Sequence, residues 1–552
     1  MPDLQFLALG GMGKVTQNMY LYEYGQEMLL VDCGIGFPDS HMPGVDILIP
    51  DISYVLKKLD QGKRIVGMIL THGHDDHIAA TGYLLEHLPA FPIFASPLTA
   101  IFATDRMQDG AVKRLVTTVD NSDPFTLGSF TIRMIPVTHS IPDTRHLAIT
   151  TPEGTIYHGS DFKLDSAPVD GVKTDMDLIR KIGEEGVLCM LIDCLRIEKT
   201  ERTESESTVG PTILETMTNT KGRYVMTLMS SHIHRIQQVV DAAEKFNRKI
   251  AFIGRSVERN VKDALELKKL YIPSGLLIDK TDIDRYHPHE LCIIVAGSQG
   301  QEGSSMMRAI YGEHRMLQIT GQDTVVFSAD AIPGNELNYF GAIDELSRHQ
   351  VHVLYPDILP GLHKSGHASM PEQQELVEAV RPKYLMPIGG ADRHRFLFKT
   401  RVAEPLHYKK DQVLLPETGE VIQISEHGIR TVERVTLRPP VIDGLGVGDV
   451  GPVVLSDRLA LGEAGIVVIT LVRDRKNGFD LRKTSVVSKG FIFMKDAQEV
   501  VEFIKQSVGE IVTKEGKKKD DDLKRMIERR LSRKLYKIIK REPLIVSVIL
   551  DI

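Results

Sequence analysis

Apolar and polar positions alternate along the chain in a way that changes character twice. Through the first two hundred or so residues, short runs of Val, Ile, Leu and Met are closed off by Gly, Pro or Asp, as in Met28-Leu29-Leu30-Val31-Asp32 and Ile65-Val66-Gly67-Met68-Ile69-Leu70. Runs this short and this apolar predict strands buried on both faces. Histidines and aspartates follow them directly, at the strand ends, where layered α/β folds commonly place their sites. From 206 to 358 apolar strands alternate with amphipathic stretches, and helices are predicted over His234 to Phe246 and Val257 to Leu270. A histidine-rich loop, Gly361-Leu362-His363-Lys364-Ser365-Gly366-His367, then leads through a helix to the strand Tyr384-Leu385-Met386-Pro387-Ile388. The expected organisation is a first domain over 1–205, a second over 206–358 and a return to the first over 359–437. The Pro/Gly-containing stretch 438–454 reads as a linker. A small third domain is expected over 455–552, with strand residues at Gly465 to Val472 and a charged helix from Asp521 to Ile539.

Length agrees with this division, because 552 residues are too many for one hydrophobic core. No apolar run approaches the roughly 20 residues that a membrane helix needs. The opening Met1-Pro2-Asp3-Leu4 lacks a secretory pattern, so a cytoplasmic location without membrane attachment is expected. Cys33, Cys189, Cys194 and Cys292 have no CxxC spacing and read as packing residues. A formal net charge of −7 offers no global attraction for nucleic acid, so polyanion binding would need a local basic groove.

The chemistry concentrates in Thr71-His72-Gly73-His74-Asp75-Asp76-His77. Imidazole nitrogens and carboxylate oxygens are donors that zinc and manganese accept, and a loop at a strand end can wrap them around one point. In this HxHxDH order His72 and His74 are assigned to one ion, Asp76 and His77 to a second. His139 in Val137-Thr138-His139-Ser140 and Asp161 in His158-Gly159-Ser160-Asp161 stand at matching strand ends as further ligands, with Asp161 placed to bridge. Asp32 is read as a carboxylate that orients a ligand imidazole rather than as a ligand.

Asp32, the HxHxDH run, His139 and Asp161 resemble the successive motifs of the metallo-β-lactamase superfamily. Over the full chain the resemblance tightens to the ribonuclease J family, of the nucleic-acid-processing β-CASP branch. It is carried further by Asn18-Met19, Phe37-Pro38, Gly44-Val45-Asp46, His139-Ser140-Ile141-Pro142-Asp143, Gly159-Ser160-Asp161-Phe162-Lys163 and His234-Arg235-Ile236-Gln237-Gln238. Gly254-Arg255-Ser256, Gly297-Ser298-Gln299-Gly300, Ile332-Pro333-Gly334-Asn335-Glu336 and His363-Lys364-Ser365-Gly366-His367 complete it. The implied fold is α/β: a metallo-β-lactamase αβ/βα sandwich with an inserted β-CASP α/β domain and a small C-terminal α+β domain.

The resemblance also implies a function. Two divalent ions, zinc first and manganese as the alternative, would activate water against an RNA phosphodiester. The family pattern is 5′-to-3′ exonuclease action on 5′-monophosphate RNA together with internal cleavage, in RNA maturation and decay. Asp193 and His367 fit an acid pair that protonates the leaving 3′ oxygen, with Asp76 as the third catalytic residue. Ser231, His234, Arg255, His363, Lys364, Ser365, Gly366 and His367 are assigned to single-stranded RNA, and Arg235 and Arg393 are further cations for its backbone. Homodimers or homotetramers are implied, with the C-terminal domain as one contact. One departure bears on the metals. Where the family reads Pro-Val-His-Gly-Glu-Tyr-Arg-His, this chain has Pro387-Ile388-Gly389-Gly390-Ala391-Asp392-Arg393-His394, so Gly389 replaces an expected ligand histidine and weakens the second site unless Asp392 or His394 reaches in. The alternative is a weakly active or inactive subunit that binds RNA or a partner. His232, where the family usually has asparagine, is a second departure.

Overall fold

The buried runs assemble, in a computed structural model, into two facing sheets. The structure describes residues 3–108, 110, 112–332, 335–444, 446–448, 450–474, 478–491 and 498–552; Pro333 and Gly334 of the Ile332 to Glu336 motif lie outside them. An eight-stranded sheet runs in the order Gly428–Arg434, Glu420–Ser425, Leu4–Ala8, Tyr20–Tyr24, Glu27–Val31, Arg64–Leu70, Ile93–Ala95, Val116–Thr118. A six-stranded sheet follows the order Tyr384–Ile388, Cys189–Asp193, Gly154–His158, Arg145–Thr151, Phe130–Pro136, Phe125–Leu127. Phe6, Tyr22, Leu29, Val31 and Ile69 of the first interlock with Ile132, Met134, Leu147, Ile149 and Leu191 of the second in one core. Alternate residues of the six-stranded sheet, among them Tyr157, Met190 and Ile192, pack instead on helices Met176–Glu185 and Met370–Val380 through Ile179, Ile182, Leu376 and Val377. Alternation of side chains across each strand therefore gives both sheet faces an apolar partner. Helices Ser53–Asp60 and Pro97–Gln108 pack on strands Arg64–Leu70 and Ile93–Ala95 of the other sheet. The result is an αβ/βα layering.

Strands Cys189–Asp193 and Tyr384–Ile388 are parallel neighbours in register from Cys189↔Tyr384 to Asp193↔Ile388, although most of the intervening chain lies elsewhere. That intervening chain builds a five-stranded parallel sheet, ordered Lys249–Ile253, Leu291–Val295, Tyr224–Thr227, Thr324–Phe327, His352–Leu354. Helices Ile233–Lys245, Arg255–Glu266 and Glu336–Arg348 accompany it. The insertion leaves and re-enters at one sheet end, which brings Asp193 and Gly389 side by side. The second of these helices stops at Glu266, short of the Leu270 predicted from its apolar pattern, because Lys268 turns into the left-handed region at φ 57°.

These elements lie in one compact unit, residues up to Phe37 with Leu48–Pro440; a second comprises Pro38–Ile47 with Val441–Ile552. In the second, strand Ile466–Asp474 is flanked by Ser485–Lys489, Gly478–Phe479 and Leu544–Asp551. Helices Gln498–Glu515 and Asp520–Ile539 cover it through Ile504, Val508, Ile511, Leu523, Ile527 and Leu531. The stretch expected to be a linker carries strands Val441–Asp443 and Gly446–Val447 and the start of helix Pro452–Ala464. Its ties are backbone-mediated: the Asp46 N–H donates to Ile442 O at 2.9 Å, and the Gly444 N–H to the Asp46 carboxylate at 2.8 Å. Periodicity does not register such contacts.

Candidate metal centre

Strand Arg64–Leu70 delivers the HxHxDH segment, and Asp32, at the end of the neighbouring strand Glu27–Val31, fastens it. The Thr71 N–H and hydroxyl donate to the two oxygens of the Asp32 carboxylate, each at 2.8 Å, and His77 Nδ1–H donates to the same group at 2.7 Å. Asp32 is wholly buried and sits at φ 59°, a conformation that Asp tolerates better than most residues. A buried carboxylate needs every one of these donors. At Gly34 a Cβ would lie 1.6 Å from the Asp76 carbonyl oxygen, so the loop closes only over glycine.

One donor from each of His72, His74, His139 and Asp161 lies within 4.8 Å of the others. His139 Nδ1–H donates to the Gly366 carbonyl at 2.7 Å, which leaves Nε2 as a lone pair 3.1 Å from His74 Nδ1. His72 Nε2 is buried without a hydrogen-bond partner, 3.7 Å from Asp161 Oδ2. Burial, followed by the neighbouring imidazoles, pushes His72 and His139 well below the usual histidine range, and burial holds His74 down to about 4. Three neutral imidazoles with lone pairs converging on a carboxylate form a poor protein core and a good cation cage. The residues fit a divalent ion.

Asp76, His77 and Asp161 form a second group within the same 4.8 Å limit. His77 Nε2 lies 3.7 Å from Asp76 and 3.6 Å from Asp161. Here the electrostatics are reversed: burial alone would lower His77, but Asp161, Asp76 and Asp32 together raise it well above the usual range. Asp76 is pushed up to about 6 by burial. Burial works to raise Asp161, yet the imidazoles, His77 foremost, hold it low. Asn18, to which sequence reasoning gave no role, places Nδ2 3.1 Å from His77 Nε2 while its Oδ1 accepts from the Tyr20 hydroxyl.

Neither proposed substitute for the missing histidine joins this group. Asp392 accepts from Arg395 at 3.0 Å, and His394 accepts the Ala391 N–H at 3.3 Å, with Nε2 3.8 Å from Glu198. Gly389 itself adopts φ 67°, and a Cβ there would meet Asp193 Oδ1 at 3.3 Å.

Asp193 Oδ2 accepts His367 Nδ1–H at 2.7 Å, and His367 Nε2 lies 3.9 Å from Asp161 Oδ2. Burial opposes protonation of His367, but Asp193, Asp161 and Asp76 outweigh it and raise the imidazole to about 9. A protonated histidine beside the Asp161 carboxylate suits donation to a leaving oxygen. The loop that carries it is tightly set: Ser365 Oγ accepts the His367 N–H at 3.1 Å, and a Cβ at Gly366 would come within 2.7 Å of Ser140 Cβ.

The residues assigned to RNA divide. His363 is partly exposed, Lys364 pairs with Glu204 at 2.7 Å, and Arg255 is exposed at the start of its helix. Ser231 is half-buried, whereas His234 is buried and lies 3.1 Å from Asp170. Arg393 is exposed and pairs with Glu198 at 3.3 Å. Arg235 is not available to a nucleic acid: its side chain is 0% exposed and saturated by Glu206, Ser328 O, His363 and Lys364 O. Its partner Glu206 is a site residue that sequence reasoning missed, while Asn18 and Thr71 stood in quoted motifs without a role. Isolated polar residues in loops give no signal.

Residues 12–160 match the metallo-beta-lactamase superfamily, 221–346 the ribonuclease J beta-CASP domain and 453–552 the ribonuclease J C-terminal domain. The chain is 32% identical to Ribonuclease J 1 of Streptococcus pyogenes serotype M3, covering 99% of this chain and 98% of the relative. It is 31% identical to Ribonuclease J2 of Bacillus subtilis (100% and 99%) and 34% identical to Ribonuclease J of Corynebacterium glutamicum (99% and 76%). A solved structure of a protein of unknown function from Enterococcus faecalis V583 shares the fold, at TM-score 0.54 and 15% identity over 76% of this chain and 100% of that one.

Proposed function

Because this chain belongs to the ribonuclease J family, we propose that it is a metal-dependent ribonuclease that works at the centre built on Asp161. The observation that carries this is the convergence of His72, His74, His139 and Asp161 beside the hydrogen-bonded pair Asp193–His367. Divalent cations held there, zinc first and manganese as the alternative, would supply Lewis acidity and a nucleophile of lowered pKa. His72, His74 and His139 would hold one ion and Asp76 and His77 a second, with Asp161 available to both. Asp32 holds a proton on His77 Nδ1, which would leave Nε2 for an ion. His367 gives its Nε2 proton to the departing 3′ oxygen, and Asp193 stabilises the imidazolium and fixes its orientation. His363, Ser365 and the backbone around Gly366 hold the phosphate, with Lys364, Ser231 and Arg255 along the strand of RNA, and His234, buried against Asp170, behind them. The substrate is single-stranded RNA, degraded 5′-to-3′ from a 5′-monophosphate and also cleaved internally. A homodimer or homotetramer in the cytoplasm belongs to the same proposal; among the described residues no helix is long and apolar enough to cross a membrane.

A second reading, a subunit that binds RNA but cleaves weakly, is favoured by one observation: no donor from 389–394 completes the Asp76–His77 group. Incubating metal-loaded protein with 5′-monophosphate RNA, alongside a His74→Ala control, separates the two. Nucleotide release that needs metal and fails in the control is expected. Tight binding with negligible cleavage would overturn the enzyme reading.

A further inference from the structure

Arg235 lies outside the metal groups, yet it holds the loop that serves them. It projects from helix Ile233–Lys245 into a fully buried position, where Nε and Nη2 donate to the two oxygens of Glu206 at 2.8 and 2.7 Å. Nη1 donates to Ser328 O at 2.7 Å and meets His363 Nδ1 at 2.7 Å, and Nη2 also reaches Lys364 O at 3.2 Å. One side chain of the inserted domain thus grips both residues at the start of the loop His363 to His367. The far end of that loop is gripped by the catalytic half, through Gly366 O on His139 and Asp193 on His367.

A guanidinium has donors only and does not deprotonate in proteins. A nitrogen 2.7 Å from Nη1 must therefore accept. That fixes the tautomer: His363 Nδ1 carries the lone pair and Nε2 carries the proton. His363 Nε2 lies 3.8 Å from the carboxylate of Asp330, on the partly exposed side of the ring. Burial and then the cations Arg235, Arg196 and Lys163 also keep this imidazole neutral, outweighing the Ser328 carbonyl, which works to raise it. Glu206 is itself held, accepting from Gln238 at 3.2 Å while its N–H donates to Asp165 at 2.9 Å. The guanidinium cannot swing away without leaving a buried carboxylate unpaired.

We propose that Arg235, anchored by Glu206, is a positioning residue that locks His363 as a neutral Nε2–H donor aimed at a non-bridging phosphate oxygen of the RNA. This rests on the nuclease reading for the identity of the anion, while the tautomer stands on the geometry alone. Arg235 acts through His363 and never touches substrate.

The test combines a spectroscopic and a kinetic readout. In protein labelled with ¹⁵N-histidine and loaded with zinc, long-range ¹H–¹⁵N correlation reads the tautomer of His363, assigned by the signal lost in His363→Gln. The wild type should show Nε2 protonated and Nδ1 bare. Arg235→Lys, which keeps the charge for Glu206 but lacks the fork, should release that preference, as should the double variant Arg235→Met/Glu206→Met, which leaves no unpaired charge if the lysine variant fails to fold. In the folded variant KM for 5′-monophosphate RNA should rise by about 10- to 100-fold, the loss of one hydrogen bond to a charged group. Zinc bound per chain should stay within about twofold of the wild type, since the metal ligands are untouched. A wild-type His363 protonated on Nδ1 or on both nitrogens would overturn the proposal, as would an unchanged KM once the tautomer is released. A wild type with the expected tautomer that leaves RNA intact would uphold the lock and overturn the nuclease reading.

Discussion

The two halves of the HxHxDH segment lie a few residues apart and are built on opposite plans. His72 and His74, joined by His139, are neutral because burial outweighs the pull of Asp161, and they turn lone pairs toward one point, with His139 fixed by a single carbonyl. Asp76 and His77 sit among carboxylates that favour a proton on His77, and Asn18 Nδ2 lies 3.1 Å from its Nε2. The first half is organised for an ion before one arrives. The second must give up a proton for its ion, and metal affinity falls when such a displacement is required. Asp161 belongs to both, so the halves differ in organisation while sharing a ligand.

The sharpest way to break the comparison is to remove what the halves share. Asp161→Ala is expected to abolish both sites and to lower RNA cleavage on the order of 10³-fold or more, measured as metal per chain and nucleotide release. Loss of one ion with activity retained would show that Asp161 does not bridge. Next in size is Asp193→Asn, which should cost about 10²-fold on RNA, the usual worth of a general acid. The same change should scarcely affect bis(p-nitrophenyl) phosphate, whose leaving group needs no proton, so equal losses on both substrates would remove Asp193–His367 from that role.

Asymmetry between the halves is tested by His77→Ala. Cleavage should drop about 10- to 100-fold at limiting metal and recover in part with excess metal, whereas His74→Ala should not recover. Gly389→His should tighten the second ion by less than about tenfold, because left-handed backbone costs a side chain roughly 1–2 kcal/mol and His would crowd Asp193. Unchanged binding would mean that the position does not face the ion.

The smallest effect lies away from the metals, where helices Pro97–Gln108 and Arg255–Glu266 meet. Burial, then Asp105, raises Asp263 to about 6. A carboxyl raised on folding adds stability below its unfolded pKa, and that stability is lost as pH rises through about 6. Asp263→Asn should therefore gain roughly 0.5–1 kcal/mol over wild type at pH 8, after allowance for solvent screening, and nothing at pH 4. Thermal melts at the two pH values check it.

Much of this was legible in the sequence because it is local. The apolar runs announce buried strands, and residues crowded at their ends announce the cation site, since spacing within one loop needs no fold to interpret. What depends on register was not legible. Asp193 meets residue 389 only because Asp193↔Ile388 pair across an inserted domain. Arg235 read as a surface cation because its burial depends on Glu206, 29 positions earlier, and on a loop more than a hundred positions later. The segment Pro38–Ile47 joins the second unit through backbone bonds that carry no hydrophobic signature. Gly389 was legible as an absence, but its φ of 67° and its distance from Asp193 had to be seen.

The central claim, one preorganised ion site and one conditional site sharing Asp161, is tested most directly by titrating metal-free protein with zinc against a chromophoric chelator. Two resolved binding steps are expected, the tighter lost in His74→Ala and the weaker in His77→Ala. A single step, two steps of equal affinity, or loss of the tighter step in His77→Ala would contradict the account.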